Sequence, residues 1–137
     1  MGIKTKTIKR MQTQKITRIL VVNNEPEILA SMESLLSQRG YEVYKAPNGE
    51  EVFAQMEQYK PDVLVLDVLL PRMNGFDVAK KLRSNPLYDR TQIIFLTEEE
   101  AQDNPYKDQG IGREFYIPKP INPDQLVSAI ERLLVTG

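Results

Sequence analysis

Residues 60–77 read Lys60-Pro-Asp-Val-Leu-Val-Leu-Asp67-Val-Leu-Leu-Pro-Arg-Met-Asn-Gly-Phe-Asp77. Val63-Leu64-Val65-Leu66 is a continuous apolar run with two β-branched residues, the pattern of a strand buried on both faces. The run stops at one carboxylate, Asp67. Pro71, Asn74 and Gly75 punctuate the loop that follows, and Phe76, Val78, Ala79 and Leu82 then take up helical spacing. An acid therefore stands at the carboxyl end of a central strand, at the mouth of a loop. In open α/β sheets, ligands bind at that edge.

The same strand–loop–helix unit recurs on both sides of this stretch. Upstream, Ile16–Val22 reads as a buried strand. Asn23-Asn24-Glu25-Pro26 ends it, with Asn24 as a candidate helix cap and Pro26 in the first turn. Ile28, Leu29, Met32, Leu35 and Leu36 form one apolar helical stripe, which Gly40 terminates. Tyr41–Lys45 is a short strand. Asn48 and Glu51 have capping-box spacing before a helix with Val52, Phe53 and Met56 inward.

Downstream, Asn85-Pro86 breaks the third helix and Gln92–Leu96 forms a fourth buried strand ending at Thr97. The helix expected over 98–109 is weak. Its interior holds Pro105, which costs about 3 kcal/mol there, and it has almost no apolar stripe, so a short or broken fourth helix is expected. Glu114–Ile117 is the fifth strand and Pro118-Lys119-Pro120 a loop. A last helix begins at Asn122-Pro123 and carries Leu126, Val127, Ile130, Leu133 and Leu134.

Five βα units with short, right-handed connections imply a parallel sheet covered on both faces. Two strand orders suit it, the flavodoxin-like 2-1-3-4-5 and a half-Rossmann. The first brings Asn23, Asn24, Asp67, Thr97 and Lys119 to one crevice.

Composition narrows the chemistry. The 137 residues contain no Cys and no His, which removes disulfides, thiolates, imidazole catalysis and most zinc sites. No apolar run approaches the roughly 20 residues that span a bilayer. The first eighteen residues lack the apolar centre of a secretory signal, and Lys6 stands where a myristoylation signal needs Ser or Thr.

The net charge of −1 is uneven. Met1–Arg18 holds six of the eighteen basic residues and no acid, which leaves the remainder at −7. Residues 1–15 are expected to be a flexible basic arm and 16–137 the domain. A basic arm on an acidic body could approach nucleic acid or an anionic membrane. With no aromatic platform or recognition motif beside it, neither is expected as a partner.

An FMN-binding reading needs a phosphate-cradling loop after the first strand, and NNEPE is not one. A hydrolase reading lacks a G-x-S-x-G elbow. The chain is not expected to be an enzyme.

Four pieces in order, RILVVNNEPEIL, PDVLVLDVLLPRMNGFDV, IIFLT and GREFYIPKP, resemble the receiver domain of two-component response regulators over about Arg18–Leu134. The resemblance implies a flavodoxin-like (βα)5 sheet in order 2-1-3-4-5 and a stand-alone, cytoplasmic receiver in a phosphorelay. It would act through protein–protein contacts with a sensor histidine kinase, a phosphotransfer protein or a second copy of itself. The resemblance places Asp67 at the phosphoacceptor position, Thr97 at the switch hydroxyl, Lys119 at the phosphate-binding lysine and Tyr116 at the switch aromatic, with a cis peptide between Lys119 and Pro120. It also implies Mg²⁺ held by Asp67, the residues at 23 and 24, and the backbone carbonyl of Leu69.

This sequence departs from that pattern at two places. The family has an acid pair where Asn23 and Asn24 stand, and Mg²⁺ prefers carboxylates. One unit-charge attraction at ~4 Å and an effective dielectric near 20 is roughly 4 kcal/mol, so losing both acids weakens metal binding by several kcal/mol. Glu98 follows Thr97, where the family usually has a small residue. It would crowd a phosphoryl group or reach Lys119. The alternative these departures raise is a phosphate-independent receiver used as a docking module.

Overall fold

β3 (Val63–Asp67) is buried along its whole length, because its neighbours β1 (Arg18–Val22) and β4 (Gln92–Thr97) pair with it in parallel on either side. β2 (Glu42–Ala46) pairs with the outer side of β1 and β5 (Phe115–Pro118) with that of β4. The sheet order is therefore β2-β1-β3-β4-β5, the flavodoxin-like order, and the half-Rossmann alternative is excluded. This structure, a computed structural model, describes residues 16–98 and 114–136. The basic arm at 1–15 and nearly all of the helix expected over 98–109 lie outside the described residues.

The described helices are α1 (Pro26–Ser37), α2 (Glu50–Tyr59), α3 (Gly75–Arg83) and α4 (Pro123–Thr136), with a 3-10 turn at Pro86–Tyr88. The alternation of side chains along each strand divides the core into two layers. Ile19, Val21, Val63, Val65, Ile94 and Leu96 face α1 and α4. Leu20, Val22, Leu64, Leu66, Ile93 and Phe95 face α2 and α3. A continuous apolar run is needed because both faces are dry.

Local signals set most of the helix ends. Asn74 accepts from the Asp77 amide and caps α3, and Asn122 accepts from Asp124 and Gln125 at the start of α4. Asn48 accepts from the Glu51 amide while its own amide donates to the Glu51 carboxylate. Gly40 takes φ +91 after α1, a conformation open chiefly to glycine. Two caps differ from expectation. Gly49, not Asn48, is the N-cap of α2, although Asn48 still accepts from the Glu51 amide. Glu25, not Asn24, is the N-cap of α1 and makes no side-chain cap bond. The Glu25 amide is instead taken by the preceding Asn23.

Candidate functional site

Asp67 ends β3 at the carboxyl edge of the sheet and is only 2% exposed. Burying a carboxylate is costly unless charge and hydrogen bonds compensate it, and three donors do so here. Lys119 Nζ stands 2.8 Å from Asp67 Oδ1. The Leu69 amide donates to the same oxygen at 2.9 Å. Asn23 Nδ2 donates to Oδ2 at 2.8 Å.

Each donor arrives from a different element. Asn23 follows β1, the neighbour of β3, and is itself 1% exposed. Leu69 lies in the loop after Asp67, where Val68 is held by its amide to the Leu96 carbonyl and by its own carbonyl to the Gly75 amide. Lys119 follows β5 and is joined to Pro120 by the cis peptide that was expected there. Its backbone amide donates to the Thr97 carbonyl at 2.6 Å, tying the two loops together.

Thr97 is buried at the end of β4, beside Asp67 in the sheet edge. Tyr116 is half-buried on β5, and its ring stacks on Phe95 at 5.4 Å between centroids. Phe95 in turn meets Phe76 edge-on at 4.8 Å. The aromatic of β5 is thus continuous with the layer packed under α3. Glu98 is exposed, and its carboxylate lies 3.8 Å from Lys119 Nζ, close enough to share that cation with Asp67.

The residues nominated for Mg²⁺ do not fit it in this arrangement. Asn23 Oδ1 accepts from the Glu25 amide at 2.8 Å, so the oxygen faces away from Asp67 and the NH₂ faces toward it. That orientation is fixed by chemistry. A flipped amide would set oxygen against carboxylate and NH₂ against N–H. Asn24 is exposed, and Leu69 approaches Asp67 through its N–H. Among the described residues no cluster of three or more acids, His or Cys could hold a metal ion. A hard cation with a strong preference for carboxylates finds Asp67 already engaged by Lys119, Leu69 and Asn23.

Two pairs that sequence reasoning missed shape the surroundings. Arg72, at φ +66 in the loop after Asp67, donates to Glu50 at 2.6 Å and pins that loop to α2. The Arg72 hydrogen bond holds the Glu50 carboxyl below its ordinary range. Arg83, on α3, donates to Glu114 through both Nε and Nη2. The Glu114 side chain is 1% exposed, and its Oε1 has no hydrogen-bond partner among the described residues. A charge at the entrance to the apolar strand segment in GREFYIP was the available signal that a partner was required.

Comparison with known proteins follows the same lines. The family model for the response regulator receiver domain matches residues 19–131. The alkaline phosphatase synthesis transcriptional regulatory protein PhoP of Bacillus subtilis is 33% identical over 117 residues, covering 85% of this chain and 48% of that protein. Protein PilH of Pseudomonas aeruginosa is 28% identical over 119 residues, covering 87% of this chain and 98% of that one. The chain spans about half the length of the first curated relatives it matches.

Among solved structures, the chemotaxis protein CheY4 of Vibrio cholerae superposes with a TM-score of 0.79 at 29% identity, covering 87% of this chain and 99% of that one. A putative response regulator from Chloroflexus aurantiacus gives 0.76 at 33% identity, covering 88% and 99%.

Proposed function

Since this chain belongs to the response regulator receiver domain family, we propose that it serves two-component signalling with Asp67 as the phosphoacceptor, and that its output is a protein–protein contact. The observation that carries this reading is the buried Asp67 at the end of the central strand with the Lys119 ammonium 2.8 Å away. Receiver domains interact with histidine kinases or phosphotransfer proteins, and a partner of that kind is the proposed donor, in the cytoplasm. A second copy of the chain is a further candidate partner. No described helix is long and apolar enough to cross a membrane.

The chemistry asks little of the protein beyond alignment and charge neutralisation. An Asp67 oxygen forms a bond to phosphorus as the bond to the donor's leaving group breaks, and the leaving group takes up a proton. Lys119 offsets the negative charge gathered on the phosphoryl oxygens. The product carries roughly −1.5 to −2 charges, by analogy with other phosphorylated side chains. Thr97 and Tyr116, in the adjoining strands, are the residues proposed to move in response.

The contact surface proposed to read this change adjoins the site. Asn23 and Lys119, the two side chains that hold Asp67, also line a groove of about 370 Å³ between α1 and α4, with Ile28, Met32, Leu35 and Leu126.

A second reading, a phosphate-independent docking module, is favoured by one observation. Glu98 already presents a carboxylate to Lys119 at 3.8 Å, where it competes with an incoming phosphoryl group.

Incubation with a small acyl-phosphate donor separates the two. Acid-labile labelling that disappears in Asp67→Asn supports the phosphoacceptor. Absence of labelling in the wild type, with labelling restored by Glu98→Ala, supports the docking module.

A further inference from the structure

Asp67 is buried with one ammonium and two neutral donors around it, and the Asn23 side-chain amide donates to its Oδ2. We propose that Asn23 does for Asp67 what a divalent cation would otherwise do: its side-chain amide satisfies Oδ2 and keeps the pocket assembled without metal.

Three features support this. First, both ends of the Asn23 amide are engaged, Nδ2 by Asp67 and Oδ1 by the Glu25 amide, each at 2.8 Å. The group is therefore held in plane and cannot turn its oxygen inward without losing two hydrogen bonds and creating two repulsions. Secondly, the bond joins residues 44 positions apart and is buried, so water does not substitute for it. Thirdly, the isosteric acid would reverse its sign. A carboxylate at position 23 would place its oxygen where Nδ2 now lies, 2.8 Å from Oδ2, and like charges so close require a cation or a proton between them.

Asn23 is thus a positioning residue. It links the acceptor carboxylate to the first turn of α1, which has no side-chain cap of its own. Removing it releases both the carboxylate and the helix start. This inference does not depend on whether Asp67 is phosphorylated, and its test uses no phosphodonor.

The test compares thermal unfolding of the full chain with EDTA and with MgCl₂, for the wild type, Asn23→Asp and Gln58→Glu. The wild-type midpoint should be the same in both solutions. Asn23→Asp should be less stable in EDTA and regain stability with Mg²⁺, with a metal dissociation constant lowered on the order of tenfold or more. Gln58→Glu, at an exposed position on α2 away from Asp67, should show neither change and controls for added negative charge.

NMR supplies a readout that does not require the Asn23 variant to fold. The Asn23 side-chain NH₂ signals of the wild type should stay fixed through a Mg²⁺ titration and shift in Asp67→Ala. A wild-type midpoint that rises with Mg²⁺, or Asn23 NH₂ signals that move on adding Mg²⁺, overturns the proposal. So does Asn23→Asp that is equally stable in EDTA and in Mg²⁺.

Discussion

Gly75 lies directly against the backbone of Asp67: a Cβ added to it would stand 2.5 Å from the Asp67 carbonyl oxygen and 2.9 Å from Val68 Cα. The first residue of α3 therefore has to be glycine for steric reasons, and the Gly75 amide donates to the Val68 carbonyl just past Asp67.

Gly75→Ala is expected to destabilise the protein. In an open helix this change gains about 1 kcal/mol of propensity. Here the clash is with backbone rather than a flexible side chain, and overpacking of that kind costs about 1–3 kcal/mol. A denaturant midpoint below that of the wild type, with an unchanged slope, is the expected result.

Lys119→Met and Asp67→Asn should differ although both break the Lys119–Asp67 ion pair. Lys119→Met leaves a carboxylate with 3% side-chain exposure facing an apolar group, whereas Asp67→Asn leaves a lysine that is 23% exposed and within 3.8 Å of Glu98. Hydrogen bonds to charged groups contribute about 1.5–3 kcal/mol and unpaired buried charge adds to the loss. Urea unfolding should therefore show Lys119→Met as the more destabilised variant.

Arg83 and Glu114 form a buried pair, with side-chain exposures of 10% and 1%. Removing the cation in Arg83→Leu strands the carboxylate and should cost about 3–5 kcal/mol. Replacing both residues with apolar ones of similar volume should recover most of that loss, because the double replacement leaves no buried charge unpaired. A double-mutant cycle by denaturant unfolding measures the difference.

The Arg72–Glu50 contact should titrate. Glu50 is lowered from its ordinary value chiefly by its hydrogen bond to Arg72. A carboxyl lowered in the folded state adds stability above its unfolded pKa and loses that contribution as pH falls through the folded value. Arg72→Ala should raise the Glu50 pKa toward normal in an NMR titration and flatten the acid limb of the stability curve. Both groups lie at the surface, so the effect on stability should be small.

What could be read in the sequence was what adjacent residues decide. The run from Val63 to Leu66, the stop at Asp67, the loop punctuation at Asn74, the helix start at Asn122-Pro123 and the proline-flanked Lys119 all act within a few positions. The contacts that determine the character of the site do not. The Asn23 amide is oriented by Glu25 and by a carboxylate brought alongside by the β1–β3 register. Arg83 finds Glu114 across 31 positions. An arginine in the last turn of a helix reads locally as a solvated, dipole-complementing residue. The misassigned cap at Asn24 has the same origin, since two adjacent asparagines are equivalent until one of them has a buried partner.

Asp67 also fastens three separate stretches of chain at one point: the end of β1 through Asn23, its own loop through Leu69, and the turn after β5 through Lys119. Most of the core lies in the strand interiors and helix faces beneath these segments. Loss of the carboxylate should therefore loosen them as one unit while the strand interiors remain closed. In native-state hydrogen exchange, the amides of Glu25, Leu69 and Lys119 should become faster together in Asp67→Ala, and those of Leu64 and Leu66 should still exchange only through global unfolding. A single side chain would then set the free energy of one cooperative opening at the rim of the sheet.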